Sequence, residues 1–210
     1  MRVSVPQSTG LRGRPMSSLR LVISVLAVVL VIVAGASRPA RSAAIGATGD
    51  GSEVFPAIAS VLKSPRCQNC HTATDFPRQG DDRHRHRLNV MRGPSDHGAP
   101  GLACATCHAT RNNSVSGVPG APNWGVAPIG QQWETLDAIA LCHRLRDPAT
   151  NGGRSLPKLE EHLNADPLVQ WAWSPGTNAQ GHSRSLPPID QQTFHALVAR
   201  WIEGGAKCPA

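Results

Sequence analysis

The sequence predicts a mainly α fold in which short helices and long loops wrap around something other than side chains. Three observations predict it. Helical periodicity comes in short bursts, and no stretch alternates like a strand for long. The loops between the bursts are long and rich in the chain's 20 Gly and 18 Pro. The apolar supply is thin, with three Phe, five Trp and no Tyr in 210 residues, so a side-chain core alone would be small.

The first 44 residues stand apart. They carry six Arg (Arg2, Arg12, Arg14, Arg20, Arg38 and Arg41) and no acidic residue, around an apolar run from Leu21 to Ala36 that only Ser24 and Gly35 interrupt. A basic lead, an apolar core and small residues after it describe a secretion signal, with cleavage after Ala36 or Ala44. An uncleaved membrane anchor is the competing reading, although a spanning helix wants about 20 apolar residues and this run is shorter. Either way the working domain, residues 45–210, is expected outside the cytoplasm, in the periplasm of a bacterium.

Removing the leader changes the charge argument. The whole chain is +7, but residues 45–210 hold 15 bases (21 minus 6) against 14 acids, or +1. The basic balance is therefore largely a property of the leader, and no nucleic-acid partner is expected.

Along the domain, Phe55–Leu62 is expected to form a short helix that leads into Cys67. Residues 72–103 are polar and without period, and 112–130 form a Pro/Gly loop containing Trp124. Helical spacing returns at Trp133, Leu136, Ile139, Ala140 and Leu145, predicting a helix from Trp133 to Asp147 ahead of Pro148. A further short helix is predicted over Leu156–Asn164, and Pro175–Pro188 is a loop. The clearest helix opens at Ile189 or Asp190, presents Phe194, Leu197, Val198, Trp201 and Ile202 on one face, and closes at Gly204-Gly205.

The chemistry lies in a repeated pentapeptide, Cys67-Gln68-Asn69-Cys70-His71 and Cys104-Ala105-Thr106-Cys107-His108. Cysteines spaced by two residues reach the two vinyl groups of one haem and form thioethers, and the adjacent His becomes the proximal iron ligand. Two haem c groups are thus expected. They would bring about four propionate charges and supply large apolar discs in place of a side-chain core. Four Cys and two His also make a zinc set, and Cys-x-x-Cys also makes a redox dithiol. Neither explains a His after both pairs.

Cys142 and Cys208 remain. In an oxidising compartment a disulfide tying the last helix to the Trp133–Asp147 helix is the natural reading. A third haem on Cys142-His143 is the alternative. For the sixth iron position the domain offers a single methionine, Met91, so at most one iron is His/Met ligated and the other is bis-His or five-coordinate. The distal histidines are to be sought among His84, His86, His97, His143, His162, His182 and His195. Of these, His86 lies between the two motifs, and His162 lies on a rigid short helix. Arg83, Arg85, Arg87 and Arg92 serve either solubility or haem propionates.

The two pentapeptides, Gln79-Gly80-Asp81-Asp82, His86, Asn89-Val90, Arg92-Gly93, Gly152-Gly153-Arg154, His162, Asp166-Pro167-Leu168-Val169, Trp171-x-Trp173, Trp201 and Gly205-Ala206-Lys207-Cys208-Pro209 together resemble a group of small bacterial dihaem c-type cytochromes. Some of these are labelled as the cytochrome subunit of an isoquinoline 1-oxidoreductase-type system. The resemblance implies His71 and His108 as proximal ligands, His86 and His162 as the distal pair, and a Cys142–Cys208 disulfide. It also implies a role as the electron acceptor of a molybdenum hydroxylase-type dehydrogenase; nothing in this sequence would bind molybdopterin. The expected partners are periplasmic redox proteins, a dehydrogenase on one side and a downstream cytochrome or oxidase on the other. A dihaem peroxidase with one open iron, drawing an acid/base group from Glu134, Glu160 or Glu161, is the alternative.

Overall fold

Helix α1, Phe55–Leu62, has Pro56 in its first turn, where a missing N–H costs nothing, and buries Phe55, Ile58, Ala59, Val61 and Leu62. The computed structural model containing it describes residues 49–210; the leader, and with it the signal or anchor reading, lies outside the described residues. A four-residue α2, Pro65–Gln68, follows and carries the first motif. Helices α3 (Ala138–Arg146), α4 (Leu156–Ala165), α5 (Pro167–Gln170) and α6 (Gln191–Glu203) complete the set. No described helix is long and apolar enough to cross a membrane.

Helix α6 follows its local chemistry closely. The Asp190 carboxylate accepts from the Thr193 N–H at 2.9 Å and caps the N-terminus. Phe194, Val198 and Trp201 recur at helical spacing and are fully buried. At the C-terminus the N–H of Gly205 reaches Ile202 O and that of Ala206 reaches Trp201 O, the paired bonds of a Schellman ending. That ending needs a left-handed residue, and Gly205 supplies it at φ 81°.

The apolar faces of α1, α3, α4 and α6 meet in one core, with Phe55 and Trp201 5.0 Å apart between ring centroids. Cys142 on α3 is bonded to Cys208 beyond α6, so the disulfide expectation describes this pair. Burying each large apolar side chain contributes about 1.5–3 kcal/mol, so this half has a core of its own.

Two elements differ from expectation. The helix predicted from Trp133 begins at Ala138, because the Asp137 carboxylate caps it by accepting from Ala140 N–H at 2.8 Å. Trp133 is drawn away by its backbone N–H, which donates to the His71 carbonyl at 2.9 Å. The polar stretch 72–103 holds two antiparallel hairpins, β1–β2 (Arg78–Gln79 with His84–Arg85) and β3–β4 (Gly98–Ala99 with Leu102–Ala103). Strands of two residues are too short to leave a period in sequence. The rest of residues 98–133 is mostly loop, where only Ala121, Val126 and Trp133 are buried apolar residues.

Candidate functional site

The two pentapeptides fold the same way in different settings. In the first, at the end of α2, the N–H groups of Cys70 and His71 donate to the Cys67 carbonyl at 3.2 and 3.0 Å. In the second, in a 3-10 turn over Cys104–Thr106, those of Cys107 and His108 donate to the Cys104 carbonyl at 3.2 and 2.9 Å. One helical turn brings residues i, i+3 and i+4 to a common side, so each turn gathers two thiols and an imidazole.

Both imidazoles are held by their Nδ1 side. His71 Nδ1 lies 2.7 Å from the Gln131 carbonyl and His108 Nδ1 lies 2.7 Å from the Pro119 carbonyl. A carbonyl only accepts, so the ring proton sits on Nδ1 and the Nε2 lone pair is left for another partner. Each ring also lies flat on an indole. His71 stacks on Trp133 at 3.4 Å and His108 on Trp124 at 4.6 Å, both within 7° of parallel. Desolvation pushes His71 down to about pKa 3 and lowers His108 as well, which keeps both rings in the neutral form that ligates metals.

A second histidine lies near each of these rings. His162, on α4, lines the same cavity as His71, together with Leu145, Leu159, Leu163 and Arg154. Its Nδ1 faces Asp166 Oδ2 at 3.1 Å, four residues on. His86 stands edge-on to His108 with ring centroids 6.1 Å apart, its Nδ1 2.7 Å from the Arg87 carbonyl. All four imidazoles thus present an engaged Nδ1 and an Nε2 outside that bond. An iron between two imidazoles needs bonds of about 2 Å on each side plus about 1.2 Å to each ring centre, roughly 6.4 Å in all. The His86–His108 spacing fits that requirement, and the cavity shared by His71 and His162 supplies the same donor set.

The thiols have a matching character. Desolvation pushes Cys67 up to about pKa 12 and Cys70 to about 11; Cys104 is raised by the same cause, and Cys107 is exposed. A redox dithiol needs a lowered thiol pKa, so these surroundings run against that use. Among the described residues no group of three or more His, Cys, Asp or Glu side chains converges on a metal position.

The two turns are joined by one strap. Trp124 covers His108, the Ala127 N–H donates to the Cys70 carbonyl at 3.2 Å, and Gln131 and Trp133 hold His71. Buried Arg92 fixes this strap by donating to the Ala127, Thr72 and Thr74 carbonyls and pairing with Asp96. Arg83 pairs with Glu134, which also faces Arg78 and accepts from Thr72 and Ala73. Arg92 and Arg83 therefore have protein partners, and Glu134 is a structural hub. Met91 Sδ lies 3.5 Å from the Arg85 guanidinium. His84 pairs with Asp82, His97 with the Trp124 carbonyl and His195 with Gln170, while His143 and His182 are exposed on the surface.

Sequence reasoning missed the two carbonyls and both indoles. Every residue has a carbonyl, so Gln131 and Pro119 leave no signal. A large aromatic such as Trp124 in a Pro/Gly loop was the available clue, and the i, i+4 spacing of His162 and Asp166 was another. No protein-family model, no curated protein and no solved structure matches this chain.

Proposed function

We propose that this chain is an exported dihaem c-type cytochrome that passes single electrons between periplasmic redox partners. The observation that carries this reading is the repeated turn of two thiols and one Nδ1-anchored imidazole, each with a second imidazole nearby. The leader of residues 1–44 and the resemblance of the motif pattern support it. On the same reading the chain serves as the electron-accepting subunit of a molybdenum hydroxylase-type dehydrogenase.

The chain's residues divide the work. Cys67 with Cys70, and Cys104 with Cys107, would each hold one haem through two thioethers, each S–H adding across a vinyl group so that a C–S bond forms and the hydrogen ends on the other vinyl carbon with no net electron change. His71 with His162, and His108 with His86, would ligate an iron through Nε2. The carbonyls of Gln131 and Pro119 fix ring orientation and make the proximal nitrogens better donors. Asp166 does the same for His162, its carboxylate being the stronger acceptor. Bound there, each haem would supply one-electron chemistry. Two histidine ligands on each iron would lower its reduction potential relative to His/Met ligation and leave no place for exogenous ligands.

Intact mass of the exported protein under denaturing conditions tests covalent attachment. Two haems are expected to remain on the chain, with one lost from Cys67→Ala/Cys70→Ala and the other from Cys104→Ala/Cys107→Ala. A chain without haem that binds zinc instead overturns the reading.

A further inference from the structure

The peptide unit that anchors His108 is itself held by a side chain. Its Pro119 carbonyl accepts from His108 Nδ1 at 2.7 Å, and the N–H of the same peptide, on Gly120, donates to Asn112 Oδ1 at 3.0 Å. Gly120 is buried, and a Cβ there would overlap the carbonyl oxygens of Ala109 and Arg111, so this peptide lies against the chain that leaves His108. The first turn has no such handle. The N–H beside the Gln131 carbonyl, on Gln132, donates to the Ile129 carbonyl at 3.2 Å, a bond between backbone groups of one 3-10 turn.

Asn112 also reaches the ring by a second route. Its Oδ1 accepts from the Trp171 indole N–H at 2.8 Å, and its Nδ2 donates to the Ser174 carbonyl at 2.8 Å. Trp171 stands edge-on to Trp124, 4.8 Å away at 85°, and Trp124 in turn lies 7° from parallel to His108. The χ2 torsion of histidine is broad, and a single hydrogen bond at Nδ1 gives the ring a direction but not a plane. The Trp124 indole supplies the plane, and Trp171, pinned by Asn112, supports that indole. One half-buried amide thus governs both the acceptor of the His108 ring and the face it rests on.

We propose that Asn112 is the positioning residue of the second Cys-x-x-Cys-His turn, setting the orientation of the His108 imidazole and the donor strength of its Nε2. The proposal rests on the dihaem reading and adds how the chain would tune the second haem apart from the first. An acceptor on the Gly120 N–H polarises the peptide, so the Pro119 carbonyl becomes a stronger acceptor for the Nδ1 proton. A more strongly held Nδ1 proton makes Nε2 the better donor, which favours ferric over ferrous iron. Asn112 acts on His108 through one peptide unit and two indoles.

The test uses the full-length haem-loaded protein and two variants of similar shape. Asn112→Leu removes all three bonds, whereas Asn112→Asp keeps an oxygen for the Gly120 N–H and the Trp171 indole. In Asn112→Leu, the midpoint potential that is missing from Cys104→Ala/Cys107→Ala is expected to rise. The expected change is roughly tenfold in the ferric–ferrous ratio, or about 59 mV. The low-spin ferric g values of that haem, which follow the orientation of the ligand planes, are expected to move while the other haem keeps its own. The Gly120 amide is expected to lose exchange protection. Asn112→Asp is expected to restore both the g values and the protection. Wild-type potentials and g values in Asn112→Leu overturn the proposal, because Asn112 then only holds the loop. An Asn112→Asp protein that behaves like Asn112→Leu overturns it too. Should Asn112→Leu not fold, Trp171→Phe decides: moved g values with a protected Gly120 amide support the proposal, and unmoved g values overturn it. Failure of the dihaem reading shows separately, as a missing c-type α band in the wild-type protein, and the proposal falls with it.

Discussion

The two Cys-x-x-Cys-His turns share a backbone and an anchoring scheme, yet they stand in opposite surroundings. The first is enclosed by helices: His71 meets Leu145, Leu159, Leu163 and His162, all presented by α3 and α4 from a core that continues through α1 and α6. The second is built almost wholly from loop: the His108 ring hangs from the Pro119 carbonyl, the neighbouring His86 precedes a left-handed Leu88, and Cys107 is exposed. Buried side chains can hold the helical half by themselves. The loop half has little apolar material to repay the roughly 1–2 kcal/mol that ordering each backbone residue costs. On the dihaem reading, the second haem would supply the missing core.

Removing the second attachment is the strongest way to break this comparison. In Cys104→Ala/Cys107→Ala, residues 98–124 are expected to lose amide-exchange protection by about a hundredfold or more, while α1 and α6 keep theirs. Equal loss in both halves contradicts the comparison. Trp201→Ala is next. It removes a fully buried indole from the helical core and is expected to cost about 3–5 kcal/mol in denaturant unfolding, with the His86–His108 spectrum little changed. Reducing the Cys142–Cys208 bond is expected to cost about 2–4 kcal/mol, again confined to the helical half and read as a lower melting temperature.

A smaller effect belongs to Glu134, which ties Thr72 and Ala73 to Arg78 and Arg83. Burial raises its pKa, but the Ala73 N–H, the Thr72 hydroxyl and the two arginines outweigh that, so the net shift is downward. A carboxyl lowered on folding contributes fully above its unfolded pKa, and the contribution is lost as pH falls through the folded value. Thermal melts from pH 7 downward are therefore expected to show Glu134→Gln least stable relative to wild type near neutrality, with the gap closing in acid. A constant gap assigns the effect to packing instead.

Much of the helical half was legible because its signals are local. The spacing of Phe55, Ile58 and Leu62 and the Asp190 cap with its Gly204-Gly205 ending describe α1 and α6 as they stand. The start of α3 was not legible, since Trp133 and Leu136 keep helical spacing while the Asp137 carboxylate decides the boundary. In the candidate site, the gathering of Cys67, Cys70 and His71, and of Cys104, Cys107 and His108, follows from spacing alone. The residues by themselves left His86 and His162 among seven histidines, and the motif resemblance singled them out. Their placement near His108 and His71 is a tertiary feature that no local pattern encodes.

The central claim is that each turn holds an iron between two histidines. The visible absorption spectrum of the purified exported protein, ferric and then dithionite-reduced, tests it most directly. The account predicts a wholly low-spin ferric state and sharp c-type α bands on reduction, with one iron turning high-spin in His162→Ala and the other in His86→Ala. A high-spin ferric component in the wild-type protein would contradict it, because one iron would then be open.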